Sequence, residues 1–221
     1  MARSVPIYVE SGDKKVFACS IDFPGWCRGA KSEELALEAL ADYAARYAEV
    51  AKRARVAFPA PASAGERFEI VERVKGKGAT DFGIPHEVPK ADAEPFTARQ
   101  AGRQVELLRA SWALLDEVVK ASPAELRKGP RGGGRDRDKM LDHVLGAEAA
   151  YARKVGVKHP QPELGDTRAV KALRDELAAA LGGASDGSPV VPKGWPPRYA
   201  LRRIAWHVLD HAWEMQDRRD G

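Results

Sequence analysis

The chain of 221 residues contains five histidines, and two of them, His207 and His211, stand four residues apart. They lie in a segment, Tyr199 to Arg218, with helical periodicity. On a helix, i and i+4 side chains share one face about one turn apart. Two imidazole nitrogens so placed can close on one metal ion at roughly 2.0–2.1 Å each. The same spacing also occurs among ordinary surface and interface histidines. His143 strengthens the metal reading. It falls in a second helical segment whose apolar stripe is Met140, Val144, Ala147 and Tyr151, so it is expected to point inward. Each buried imidazole needs partners. One account is three separately satisfied core histidines. The other is a single three-histidine site with open positions, the usual form of a catalytic metal.

Glu214 and Arg218 continue the His207–His211 face at helical spacing. An acid beside a metal can orient an imidazole or move a proton, so both are candidate catalytic residues. A helix salt bridge between the two is the competing reading. Trp206 and Trp213, seven apart, read as packing residues, and His86 and His159, each beside a proline, as structural or incidental.

Four segments must position these side chains. Ala101 to Ala121, Lys139 to Val155, Arg168 to Leu181 and Tyr199 to Arg218 all show helical periodicity. Pro123 with a glycine cluster, His159-Pro160-Gln161-Pro162, and Gly182-Gly183 separate them. Four helices of this length predict a bundle. Between the first two, Arg127 to Arg137 holds three consecutive glycines, which cannot sustain a helix. A mobile loop near the metal end is expected there. Its Arg131, Arg135 and Arg137 either draw in an anionic co-substrate or merely coat a solvated connector.

The first half reads differently. Pro6–Glu10 and Lys15–Ile21 alternate and predict two strands, joined by the turn signal Ser11-Gly12-Asp13-Lys14 into an antiparallel hairpin. Phe23-Pro24-Gly25-Trp26 breaks the second strand. Ser32 is a good N-cap for one helix whose stripe runs from Leu35 to Val50. Glu66 to Val74 predicts a third strand. The glycine- and proline-rich stretch from about 76 to 98 marks a boundary. The expected fold class is therefore α+β: a small α/β module over residues 1–90 with its linker, then an all-α four-helix bundle over 96–221.

Bulk composition excludes several classes. Net charge is +4, with Lys and Arg nearly balanced by Asp and Glu, so nucleic acid is not an expected partner. No apolar run is long enough to span a bilayer, and the N-terminus lacks an apolar signal core. Cys19 and Cys27 are too few for a disulfide scaffold and read as two partly buried thiols. A cytoplasmic location is the resulting expectation.

Leu141-Asp142-His143-Val144-Leu145-Gly146-Ala147-Glu148 and Ile204-Ala205-Trp206-His207-Val208-Leu209-Asp210-His211-Ala212-Trp213-Glu214 resemble the DinB-like superfamily. Its members are four-helix bundles with one metal-binding histidine on the second helix and a His-x-x-x-His pair on the fourth. They include thiol-dependent S-transferases and the mycothiol-dependent maleylpyruvate isomerase. The resemblance implies His143, His207 and His211 as ligands of a divalent metal, with zinc first and nickel or iron as alternatives. It also implies a low-molecular-weight thiol as co-substrate and a small-molecule electrophile as substrate.

The N-terminal Ile7-Tyr8-Val9-Glu10, Phe17 to Ala30 with Phe23-Pro24-Gly25-Trp26-Cys27, and Glu33-Glu34-Leu35-Ala36-Leu37 resemble the HicB-like antitoxin domain. That resemblance implies a truncated ribonuclease H-like fold without catalytic carboxylates, packing on the bundle or supporting a homodimer. Two functions follow. One is a metal-dependent enzyme that activates a thiol or water. The other is a metal- or ligand-sensing protein that binds a partner.

Overall fold

Alternation of apolar side chains makes the first strand, and burial on both faces makes it central. The computed structural model describes residues 4–129 and 133–219. Strand β1 (Val5–Ser11) pairs antiparallel with β2 (Val16–Ser20), and β2 pairs antiparallel with β3 (Cys27–Ala30). Strand β4 (Phe68–Lys75) lies parallel to β1 on its other side, so the sheet order is β3-β2-β1-β4. Ile7, Tyr8, Val9 and Glu10 of β1 are completely buried.

Helices cover the sheet on both faces. On one side lie α1 (Glu33–Asp42) and α2 (Ala44–Arg53), which bury Leu40, Tyr47 and Val50 against Ile7 and Ala18. The N-cap of α1 is Ser32, whose hydroxyl accepts from the Leu35 N–H. A single turn, α3 (Gly78–Asp81), follows β4. Four long helices come next: α4 (Ala98–Ala121), α5 (Arg137–Lys154), α6 (Thr167–Leu181) and α7 (Pro197–Arg219). Their ends obey local chemistry. Thr97 and Gln100 form a capping box on α4, and Asp166 caps α6. Pro197 takes the first position of α7, where its missing N–H costs nothing.

Helix α7 is the element that joins the halves. Tyr8, Phe17 and Cys19 of the sheet pack against Trp206, while Leu209, Trp213 and Met215 enter the cluster built on Ile7 and Leu40. Gly25, at φ +90°, lets the β2–β3 turn touch the α7 backbone: a Cβ there would sit 3.0 Å from the Ala205 carbonyl and 2.7 Å from Leu209 Cδ1. Arg202 of α7 forms a bidentate ion pair with the fully buried Asp92 and donates to the Tyr8 hydroxyl at 2.8 Å. Arg28 of β3 pairs with Asp210 at 3.1 Å. The stretch between the halves is itself anchored. Glu10 accepts from the His86 and Glu87 N–H groups, and the His86 carbonyl accepts from Tyr199.

Three expectations need correction. The helix from Leu35 to Val50 is two helices broken at Tyr43, whose ring stands 5.2 Å from Trp213 with the Arg28 guanidinium 3.9 Å above it. Cys27–Ala30 is a strand that alternation could not reveal, since Arg28 and Gly29 interrupt the apolar pattern. The two cysteines are not thiols but a disulfide. The β2–β3 register sets Cys19 directly opposite Cys27, so pairing the strands pairs the sulfurs. The support that free thiols lent to a cytoplasmic location falls with it. No helix among the described residues is long and apolar enough to cross a membrane.

Two substitutions test this junction. Gly25→Ala forces a side chain into the left-handed region and into α7, and should destabilise by at least about 2 kcal/mol. Asp92→Asn strips Arg202 of its charge partner and should cost about 3–5 kcal/mol. Urea unfolding of both variants measures these losses; parent-like midpoints would show that α7 and the sheet do not depend on the junction.

Candidate metal centre

Helices α5 and α7 pack side by side, and that contact brings His143 to His207 and His211. His143 Nε2 and His207 Nε2 are 3.2 Å apart. The three rings have centroid separations of 5.0, 5.0 and 4.7 Å. One nitrogen from each ring lies within 4.8 Å of the others. Two ligands at 2.0–2.1 Å from a tetrahedral ion stand about 3.3 Å apart. The His143–His207 pair is therefore already at a tetrahedral edge, and the His211 nitrogen lies within 4.8 Å of both. No more than one proton can lie between two imidazole nitrogens, so without a cation the pair must share one or repel. The donor set suits a borderline-soft divalent ion.

Protonation states favour the same use. Burial holds the His207 imidazole well below its ordinary 6.5, and the neighbouring His211 and Arg203 add to the effect. Burial also lowers His143, with Arg135 as the next cause. Both rings are thus neutral at physiological pH, the form that binds metal. His211 Nδ1 faces Glu214 Oε2 at 3.2 Å, so Nδ1–H donates to the carboxylate and Nε2 is the nitrogen left for a metal. Glu214 is held below the usual carboxylate range, chiefly by this hydrogen bond. Its other oxygen accepts from Arg218 at 3.0 Å. Orientation of the imidazole and the Glu214–Arg218 salt bridge, posed by the sequence as alternatives, are both present in one chain of contacts.

The α4–α5 connection closes over the end of this chain. Arg218 Nε donates to the Arg127 carbonyl at 2.7 Å, and Gly134 packs against the Arg218 guanidinium so closely that a Cβ there would overlap it. Arg135 is near enough to lower both His143 and His207. Arg137 turns away to Asp138 and the Ser122 carbonyl, and Arg131 lies outside the described residues.

No family model, curated protein or solved structure matches this chain. The site must be read from its own chemistry.

Other candidates fall elsewhere. Glu148, within the His143 segment, is completely buried on a different face of α5. It accepts from the Trp112 indole and pairs with Arg174, and burial raises its pKa. His86 and His159 take no part in the cluster. Trp213 and Trp206 are packed in the core.

Sequence reasoning missed Arg203, one turn before His207. Its side chain is 7% exposed, and its Nη1 is sealed without an acceptor. The guanidinium lies 4.6 Å from the Trp206 ring and 5.1 Å from the Tyr151 ring. Such contacts return about 2 kcal/mol when desolvated. Removing an ion from water costs several kcal/mol, so the rings alone leave it under-compensated. The signal was available: 203, 207 and 211 are successive i+4 positions.

A pH dependence follows for chelator-treated protein. His143 and His207 have folded pKa values below 6.5, so the unfolded chain takes up protons that the folded chain refuses. The stability from these two groups is fully present above about pH 6.5 and declines as pH falls below it. Urea midpoints at pH 7.5 and 5.5 should differ more for the parent than for the His143→Gln/His207→Gln variant. Equal differences would contradict the assignment.

Proposed function

We propose that the protein is a metal-dependent enzyme of the DinB-like kind, with α4 to α7 forming its four-helix bundle and His143, His207 and His211 holding one divalent ion. The observation that carries this reading is the convergence of three imidazole nitrogens from two helices, two of them at a tetrahedral edge. Three protein ligands leave room for an exchangeable fourth. When bound, such an ion lowers the pKa of a water or thiol so that it can attack a small electrophile. Zinc fits the donors best, with nickel or iron as alternatives.

The chain's own residues do the rest. His207 and His143 present neutral nitrogens because burial disfavours their charged forms. Glu214 holds the His211 tautomer, and Arg218 holds Glu214. A depressed carboxylate is a weak base, so Glu214 is better suited to positioning His211 than to carrying a proton away. Arg218, tied to Glu214 and to the Arg127 carbonyl, is likewise a positioning residue.

A second reading, a metal- or ligand-sensing protein with a HicB-like module, draws support from the same fact. Among the described residues, Glu214 is the one carboxylate hydrogen-bonded to the cluster, and it is already engaged. Turnover of a thiol–electrophile pair by metal-loaded protein separates the two readings.

Metal analysis of protein purified without a histidine tag should give one ion per chain. His207→Ala should lose nearly all of it with helix content retained, and Glu214→Gln should weaken affinity about 10–100-fold. Equal metal in parent and His207→Ala would refute the site.

A further inference from the structure

Four arginines among the described residues are more than nine-tenths buried: Arg198, Arg202 and Arg203 on α7, and Arg174 on α6. Arg202 is answered by Asp92 and Tyr8. Arg174 is answered by Asp116 and Glu148. Arg198 reaches the Pro95 carbonyl at 3.4 Å. Arg203 alone among these has no oxygen acceptor among the described residues, and its Nη1 is fully sealed.

The surroundings of Arg203 are aromatic rather than anionic. The Trp206 and Tyr151 ring centroids lie 4.6 and 5.1 Å from its guanidinium carbon. Tyr151 in turn packs against Trp195, 5.1 Å between ring centroids, and against His207, 5.8 Å between ring centroids. Tyr151 and Trp195 are both only partly buried, so this wall reaches the surface. The His207 ring is the common neighbour of the metal cluster and the aromatic wall, and its second nitrogen, Nδ1, is also sealed without a partner. A cation held in low dielectric beside flat apolar walls is matched by a planar anion, and a carboxylate meets the guanidinium fork with two hydrogen bonds. Its apolar remainder would lie along Tyr151 and Trp195.

We propose that Arg203 is the anion-recognition residue of the site, selecting small molecules that carry a carboxylate on a planar or apolar body. This deepens the metal-centre reading by naming the substrate class. Four residues, about 6 Å along the helix axis, separate Arg203 from His207. A short carboxylate-bearing molecule anchored at Arg203 would therefore present its other end to the cluster.

The test uses benzoate and its neutral isostere benzamide, titrated by calorimetry into metal-loaded protein and into chelator-treated protein. Saturable benzoate binding is expected in both, at least tenfold tighter than benzamide. Arg203→Gln should erase that preference, whereas Arg203→Lys, which keeps the charge, should retain part of it. Circular dichroism of each variant checks the fold, and the lysine variant decides the matter if the glutamine variant is unfolded. No saturable benzoate binding, equal binding of the two probes, or a preference that survives in Arg203→Gln would overturn the proposal. Metal content is measured in parallel. Bound metal without a benzoate preference defeats the anion subsite alone. An Arg203-dependent preference in protein that binds no metal defeats the metal centre alone.

Discussion

Helix α7 runs through the interior with the sheet on one side and α4 and α5 on the other, so most of the polar side chains it buries are answered from within the protein. This constraint organises the molecule. Arg202 draws Asp92 and Tyr8 to it, which fixes the chain before α4 and the central strand in one contact. Asp210 draws Arg28, which holds the third strand. Gly25 permits the backbone approach that makes these contacts geometrically available. Unpaired buried charge is costly enough that such pairs set register between elements even where they add little net stability.

The same constraint produces the candidate centre. His207 and His211 are among the few polar groups of α7 answered neither by the sheet nor by a full ion pair. They meet His143 across the α5 contact, and the neutral His143 and His207 bring ring nitrogens together that a shared proton or a cation can join. Glu214 and Arg218 extend the chain of contacts to the α4–α5 connection, so the orientation of His211 depends on the Arg127 carbonyl as well as on α7.

Much of this was legible in the residues. Helical periodicity located α4 to α7 to within a few positions, and the i, i+4 histidines with His143 on an apolar stripe anticipated the cluster. What escaped was non-local. Cys27–Ala30 is a strand because β2 offers it an edge, and the disulfide exists because of that register. The break at Tyr43 answers to Trp213, far away in sequence. Glu148 shares a helix with His143, yet its own position on the helix turns it toward Trp112 and Arg174. Arg203 was passed over because an arginine on a helix is ordinarily solvated; only the burial of its face of α7 makes it unusual.

The central claim is that one divalent ion sits among three imidazoles. Anomalous diffraction from crystals of metal-loaded protein, collected on either side of the zinc absorption edge, tests it most directly. The account predicts one edge-dependent peak per chain, about 2.0–2.1 Å from a nitrogen of each of His143, His207 and His211. A peak elsewhere, or three imidazoles separately hydrogen-bonded with no peak between them, would contradict it.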